Sequence, residues 1–136
     1  MEIKYLSKEE QPEELLAYLG VSKHSVGWRY ILSCFIEISA GHAPGLEVYE
    51  HVALIHGSTV ARVVKNSQRA LLKAQQKKPR EWEEIFPKLD IGTSQAGLTL
   101  FLRHATAWLR HNKIAFFHLG HVKYRLPVLK GTKEGI

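Results

Sequence analysis

The sequence predicts an all-α fold: one six-helix domain that contains a helix-turn-helix, followed by a short C-terminal β-hairpin or extended tail. Apolar residues recur at helical spacing in six successive segments, and glycine or proline separates most of these segments. After Asn112 the pattern changes to short alternating runs. Because no repeat or low-complexity segment appears, we assign residues 1–112 to one helical domain and residues 113–136 to an appendage.

Local residue types place the helix ends. Pro12 fits a first helical position, and Gly20 ends the first helix. Ser22 is a suitable cap for the second helix, and Gly41 is its stop. Residues 1–7 fit either a strand or a tail. The predicted helices run from Pro12 to Leu19, Lys23 to Ala40, Leu46 to His56, Val60 to Gln76, Arg80 to Phe86 and Ser94 to Asn112.

Composition narrows the class of partner. The 136 residues are 45% hydrophobic, which suits one folded domain with a real core. The formal net charge of +6 favours an acidic partner, nucleic acid first and an anionic surface second. The lone Cys34 excludes an internal disulfide and is expected to be a small core residue in a reducing cytoplasm. The sequence contains no N-terminal signal peptide and no apolar run long enough to span a bilayer, so we expect no membrane partner.

The centre of the chain carries the steric pattern of a helix-turn-helix. Small Ala53 lets the second helix cross close to the first, Gly57 takes the turn, and Val63 pins the second helix to the core. Ser58 or Thr59 is expected to cap the second helix.

The second helix of the motif has two faces. No Asp or Glu occurs between His51 and Arg80. Arg, Lys, Asn and Gln side chains can hold phosphates and read base edges, so a polar face of this kind suits a DNA major groove. An ordinary amphipathic helix with a solvated basic face has the same pattern. The apolar face holds Val60, Val63, Val64, Ala70, Leu71 and Ala74, and the polar face holds Arg62, Lys65, Asn66, Arg69, Lys73 and Gln76.

The last residues predict two short strands around a turn. The expected strands are Ile114–His118 and His121–Leu126, with Leu119 and Gly120 at the turn. Pro127 is expected to end the second strand, and a loose tail follows from Lys130.

Catalytic and metal patterns are weak. His118 and His121 have H-x-x-H spacing, and His104 and His111 lie two helical turns apart. There is no HExxH helix, cysteine pair or phosphate-cradling glycine loop. We therefore expect ordinary histidines, no metal, no cofactor and no enzymatic activity.

Two stretches resemble a known family. Leu19 to Ile31 is similar to the pattern G-V-x-x-H-x-x-G-[YW]-x-Y-[IL], and Ser58 to Val63 is similar to a Thr-Thr-x-x-Arg-Val turn and helix start. Together with Tyr49, Val52 and Ala53, they resemble the C-terminal DNA-binding effector domain of the stage-zero sporulation response regulator of endospore-forming bacteria. The resemblance covers roughly residues 13–112.

The resemblance implies a six-helix fold and sequence-specific binding of double-stranded DNA. Arg62 matches a base-reading arginine, and Lys65 falls on a second arginine. Gln68 and Arg69 fall on residues that approach DNA, and Ala61 falls on a serine near the DNA backbone. Lys73 would share base and phosphate contacts. The DNA-binding residues implied or expected are Ser58, Thr59, Ala61, Arg62, Lys65, Gln68, Arg69 and Lys73.

Departures from the family pattern motivate a second hypothesis. Val64 replaces a glutamate that helps to fix base preference, and buried Ser67 replaces an isoleucine and needs a hydrogen-bond partner, for which the carbonyl one turn back is a candidate. The hairpin-like tail is additional, and we expect a stand-alone bacterial relative without a receiver domain. The alternative function is a protein-interaction module that has lost base reading. A homodimer through residues 94–112 or the C-terminal tail fits either hypothesis.

Overall fold

Six helices and three strands occur in the described part of the chain, in a computed structural model that gives the backbone of residues 2–5, 7, 10–119 and 122–129 and the side chains of residues 7 and 10–112. The elements are β1 (Glu2–Tyr5), α1 (Glu10–Tyr18), α2 (Val26–Ser39), α3 (Leu46–Ile55), α4 (Val60–Lys77), α5 (Pro79–Ile85), α6 (Gln95–His111), β2 (Asn112–Leu119) and β3 (Val122–Leu129). The predicted six-helix fold with its helix-turn-helix is confirmed.

The start of α1 lies two residues before the predicted Pro12. Ser7 and Glu10 form a capping box: the Ser7 hydroxyl accepts a hydrogen bond from the Glu10 backbone N–H at 3.2 Å, and the Glu10 carboxylate accepts one from the Ser7 N–H at 3.0 Å. The helix therefore begins earlier, and Pro12 falls within its first turn, where backbone N–H groups lack intrahelical partners in any case.

The predicted cap of α2 was wrong. Ser25 holds the cap position, and its hydroxyl accepts a hydrogen bond from the Trp28 backbone N–H at 3.1 Å. Ser22 closes the preceding turn instead, since its carbonyl oxygen accepts hydrogen bonds from the Ser25 N–H and hydroxyl. The turn delays the start of α2 by three residues relative to the predicted Lys23.

Helix α4 lies at the centre of the helical domain and packs against α2, α3, α5 and α6. The core includes Leu71 and Trp82, and the Trp82 indole N–H donates a hydrogen bond to the Leu19 carbonyl oxygen at 2.8 Å. Because the apolar face of α4 is buried against these four helices, its opposite face is the one that remains exposed to solvent. Among the described residues, no helix has both the length and the apolar character needed to cross a bilayer.

An antiparallel sheet with the order β1-β2-β3 joins the two ends of the described chain. Strand β2 pairs with both neighbours and approaches α1 and α6. Of the alternatives for the first residues, the strand is correct. Pro127 does not end β3, because it pairs with Ile114 on an edge strand, where a missing N–H is tolerated. The predicted turn residue Gly120, His121 and the tail from Lys130 lie outside the described residues.

Candidate nucleic-acid interface

The turn between α3 and α4 is fixed by backbone hydrogen bonds. Gly57 takes the left-handed conformation with φ of 60°. Its N–H donates to the Leu54 carbonyl oxygen at 3.3 Å, and the Ser58 N–H donates to the Ala53 carbonyl oxygen at 2.8 Å. These two bonds form a Schellman motif, which satisfies the last carbonyls of α3 and suits glycine. The predicted role of Gly57 in the turn is confirmed, and Ala53 is buried.

Thr59, rather than Ser58, caps α4. The Thr59 hydroxyl accepts a hydrogen bond from the Arg62 backbone N–H at 3.2 Å. The Ser58 hydroxyl accepts one from the Tyr30 hydroxyl at 3.1 Å, which ties the turn to α2. The first turn of α4 is therefore held from two sides, and Arg62 projects from a fixed backbone.

Basic side chains form a stripe along the outer face of α4. We call Arg62, Lys65, Arg69 and Lys73 the basic stripe; all four are exposed. Successive helix residues turn by about 100°, so the four fall within about 80° of the circumference and span about 16 Å of the axis. None of the four forms an ion pair with a carboxylate within residues 10–112. The stripe therefore offers its positive charge to solvent.

A groove of about 680 Å³ runs beside the basic stripe. Its floor includes Val64 and Leu72, and Thr93 and Gln95 at the start of α6 form the opposite wall. Ser94, the N-cap residue of α6, makes no side-chain hydrogen bond to the first turn of the helix, and Gln95 in that turn lines the groove.

Gln68 does not reach outward as the resemblance implied. Its side chain is buried, and its amide N–H₂ donates a hydrogen bond to the backbone carbonyl oxygen of Ser94. It therefore positions α6 against α4, and its burial leaves it little surface for a contact with DNA. No periodicity signal marks this bond, because its partner lies in a loop far along the chain.

Three further residues of α4 differ in what they can offer to a ligand. Asn66 donates its amide to the Arg62 carbonyl oxygen at 2.8 Å, which leaves less of its donor capacity for a ligand. Ser67 is fully buried as expected, but its hydroxyl has no hydrogen-bond partner among the described residues, and the candidate bond to the carbonyl one turn back is not made. Ala61 is exposed at the rim of the groove.

Cys34 is a core residue, as predicted. Burial, followed by the nearby charge of Glu37, raises the pKa of its thiol from 9.0 to about 12. The thiol is therefore protonated at neutral pH and is not an activated nucleophile.

His104 and His111 do not belong to a three-residue ligand cluster among the described side chains, and the side chains of His118 and His121 lie outside the described residues. The structure instead brings together Glu37, His42 and His51, a set that spacing alone did not indicate.

Comparison with known proteins gave no significant match to a protein-family model, a curated protein or a solved structure.

Proposed function

We propose that the protein is a sequence-specific double-stranded DNA-binding transcriptional regulator that inserts α4 into the major groove. The basic stripe carries this proposal. Four exposed cations follow one line on a helix whose opposite face is buried, and no carboxylate pairs with them in the described part of the chain. Such a helix presents charge to phosphates and donors to base edges at the same time.

Arg62 is the best candidate for reading a base. It lies in the first turn of α4, where recognition helices reach base edges, and the Thr59 cap holds its backbone. An arginine in this position can donate two hydrogen bonds to a guanine. Lys65, Arg69 and Lys73 would share base and phosphate contacts along the rest of the helix.

The rim of the motif would complete the interface. Ser58, Thr59 and Ala61 surround the start of α4 and lie where the DNA backbone would pass. The first N–H groups of α6 would hold a further phosphate across the groove. The function would then depend on the fixed placement of α6 as well as on the basic stripe.

We further propose that the chain is a relative of the sporulation effector domain named above with a different DNA preference. Val64, which stands in place of the family's glutamate, is buried at the floor of the groove. An apolar side chain there cannot accept a hydrogen bond from a base. A homodimer through α6 or the C-terminal hairpin would let two copies read two half-sites.

A protein-interaction module is the second candidate function. Leu54 and Ile55, just before the turn, are 82% and 63% exposed. Large apolar side chains next to each other on a surface are more typical of protein contacts than of DNA contacts. In this function the basic stripe would only keep α4 solvated.

Selection of bound duplexes from a random pool, followed by titrations at several salt concentrations, tests the proposal. We expect one enriched sequence and a slope of log K against log salt of about −2.7 to −3.6, because three or four phosphates would be neutralised. Failure to bind any duplex, even at low salt, would contradict DNA binding and favour the interaction module.

A further inference from the structure

Two histidines and a glutamate meet between the end of α2 and the middle of α3. Glu37, His42 and His51 each offer one ligand atom, and these atoms lie within 4.8 Å of one another. The His51 Nδ1 atom is 2.9 Å from the Glu37 Oε1 atom. The rings of His42 and His51 lie edge to face, with centroids 4.8 Å apart. All three residues are partly buried.

The end of α2 brings His42 into this cluster. Gly41, with φ of 112°, reverses the chain after the helix. Its N–H donates to the Ile38 carbonyl oxygen at 3.0 Å, and the His42 N–H donates to the Glu37 carbonyl oxygen at 3.2 Å. This Schellman motif holds His42 directly against the turn that carries Glu37. The position of His42 is thus set by backbone hydrogen bonds rather than by loop freedom.

Helix α3 supplies the rest of the cluster. Glu47 and His51 are four residues apart and therefore share one face of α3. The Glu47 Oε1 atom lies 3.2 Å from the His42 Nδ1 atom, so a second carboxylate adjoins the three ligands. Glu47 is well exposed and can move toward an ion or remain a hydrogen-bond partner of His42.

We propose that Glu37, His42 and His51 bind a divalent transition-metal ion, with Zn²⁺ as the best match. Imidazole nitrogen and carboxylate oxygen are the ligands that zinc accepts at about 2.0–2.2 Å, so the ligand atoms of a tetrahedral site lie about 3.3–3.6 Å apart. The ligand atoms now lie within 4.8 Å of one another, so the widest separation would have to close by about 1.2–1.5 Å when an ion binds. Water or Glu47 would take the fourth position of a tetrahedral site.

The charges around the cluster suit a divalent cation. Glu37 and Glu47 together neutralise two positive charges, and the neutral imidazoles supply lone pairs. Arg103 and Arg110 line a neighbouring cavity with His42, and their positive charges would oppose a cation from that cavity. A metal ion bound to His51 and Glu37 would displace the proton of the 2.9 Å hydrogen bond between the His51 Nδ1 atom and the Glu37 Oε1 atom.

The ion would join the end of α2 to α3, the first helix of the helix-turn-helix. Its binding energy would add to folding stability, because the three ligands are brought together only in the folded chain. The site lies on helices other than α4, and the proposal does not depend on DNA binding.

Titration of the metal-free, tag-free full chain with Zn²⁺ and Co²⁺ tests the site. We expect Zn²⁺ to raise the melting temperature and Co²⁺ to give the visible absorption of a four-coordinate ion. His42→Gln and Glu37→Gln should each weaken binding by more than about tenfold, since loss of a ligand exceeds the effect of losing a second-shell partner. His42 lies in a loop, so its variant should fold normally, which circular dichroism would verify.

His24→Gln is the matched control, because His24 is an exposed histidine beyond the opposite end of α2. The control should bind Zn²⁺ as the unmodified chain does. The proposal is overturned if neither metal binds, or if Zn²⁺ stabilises His42→Gln, Glu37→Gln and His24→Gln equally.

Discussion

The Gln68 side-chain amide donates a hydrogen bond to the backbone carbonyl oxygen of Ser94, and this bond joins the middle of α4 to the start of α6. Gln68 is only 5% exposed, so water does not readily replace the bond. The same two helices form the walls of the groove beside the basic stripe. The shape of the candidate interface therefore depends on a buried polar contact that does not itself reach outward.

Gln68→Ala should lower the free energy of unfolding by about 1–3 kcal/mol, because it leaves the Ser94 carbonyl without its donor and empties the buried space. Urea unfolding measures the change. Gln76→Ala, an exposed position on the same helix, is the control and should change stability by less than about 0.5 kcal/mol. Equal changes in the two variants would show that the Gln68 bond contributes nothing.

Ser67→Ala should leave the protein as stable or raise the free energy of unfolding by about 1 kcal/mol. The buried hydroxyl has no hydrogen-bond partner in the described part of the chain, so burying it costs free energy that no bond offsets. Alanine removes this cost, and the loss of one oxygen atom does not open a large cavity. The exposed Ser39→Ala serves as control in the same urea titrations. A loss of more than about 1 kcal/mol would mean that the hydroxyl makes a stabilising hydrogen bond.

Gly27→Ala should destabilise the protein by about 1–3 kcal/mol, although alanine favours helices. A Cβ atom at position 27 would lie 2.5 Å from the Asn66 carbonyl oxygen and 2.6 Å from the Ala70 Cβ atom, which would force α2 away from α4. Thermal unfolding measures the loss, and Glu50→Ala on the exposed face of α3 is the control. A gain in stability at position 27 would contradict the close approach of the two helices.

Stability should fall as the pH rises above about 9. Burial raises the pKa of Cys34 from 9.0 to about 12 and that of Tyr49 from 10.0 to about 12. Between the unfolded and the folded pKa, the unfolded chain releases protons that the folded chain retains. The stability that the two protonated groups contribute is therefore complete below the unfolded pKa and is lost as the pH approaches the folded pKa.

Cys34→Ala removes one of these two contributions. Its free energy of unfolding should therefore drop less between about pH 7 and about pH 10.5 than that of the unmodified chain, as urea titrations at both pH values would show. Ser33→Ala, the neighbouring position on α2, provides the control. The same drop in all three proteins would assign the alkaline loss to other groups.

Helical periodicity was sufficient to predict the six helices and the two faces of α4. The burial of Ser67 followed from its place within the apolar stripe, and the turn at Gly57 followed from glycine's access to positive φ. The periodicity around Ser67 and the backbone preference of Gly57 both depend on residues close by in the sequence. Both features could therefore be predicted from the sequence.

The errors arose where a distant partner or local competition decided the outcome. Ser22 and Ser25 are both good caps, and hydrogen bonds in the intervening turn select Ser25. Gln68 is buried because Ser94 accepts its amide, and Pro127 remains in a strand because β3 lies at the sheet edge. None of these partners can be identified from spacing along the sequence.

Binding of Arg62→Ala and Lys73→Ala to the selected duplex and to a random duplex, each at several salt concentrations, tests the central proposal most directly. Arg62→Ala should lose about 1–3 kcal/mol on the selected duplex and much less on the random one, whereas Lys73→Ala should weaken both alike and reduce the salt slope by about 1. Arg80→Ala, an exposed position at the start of α5, should bind both as the unmodified chain does. Equal losses on both duplexes for Arg62→Ala and Lys73→Ala would contradict base reading by Arg62.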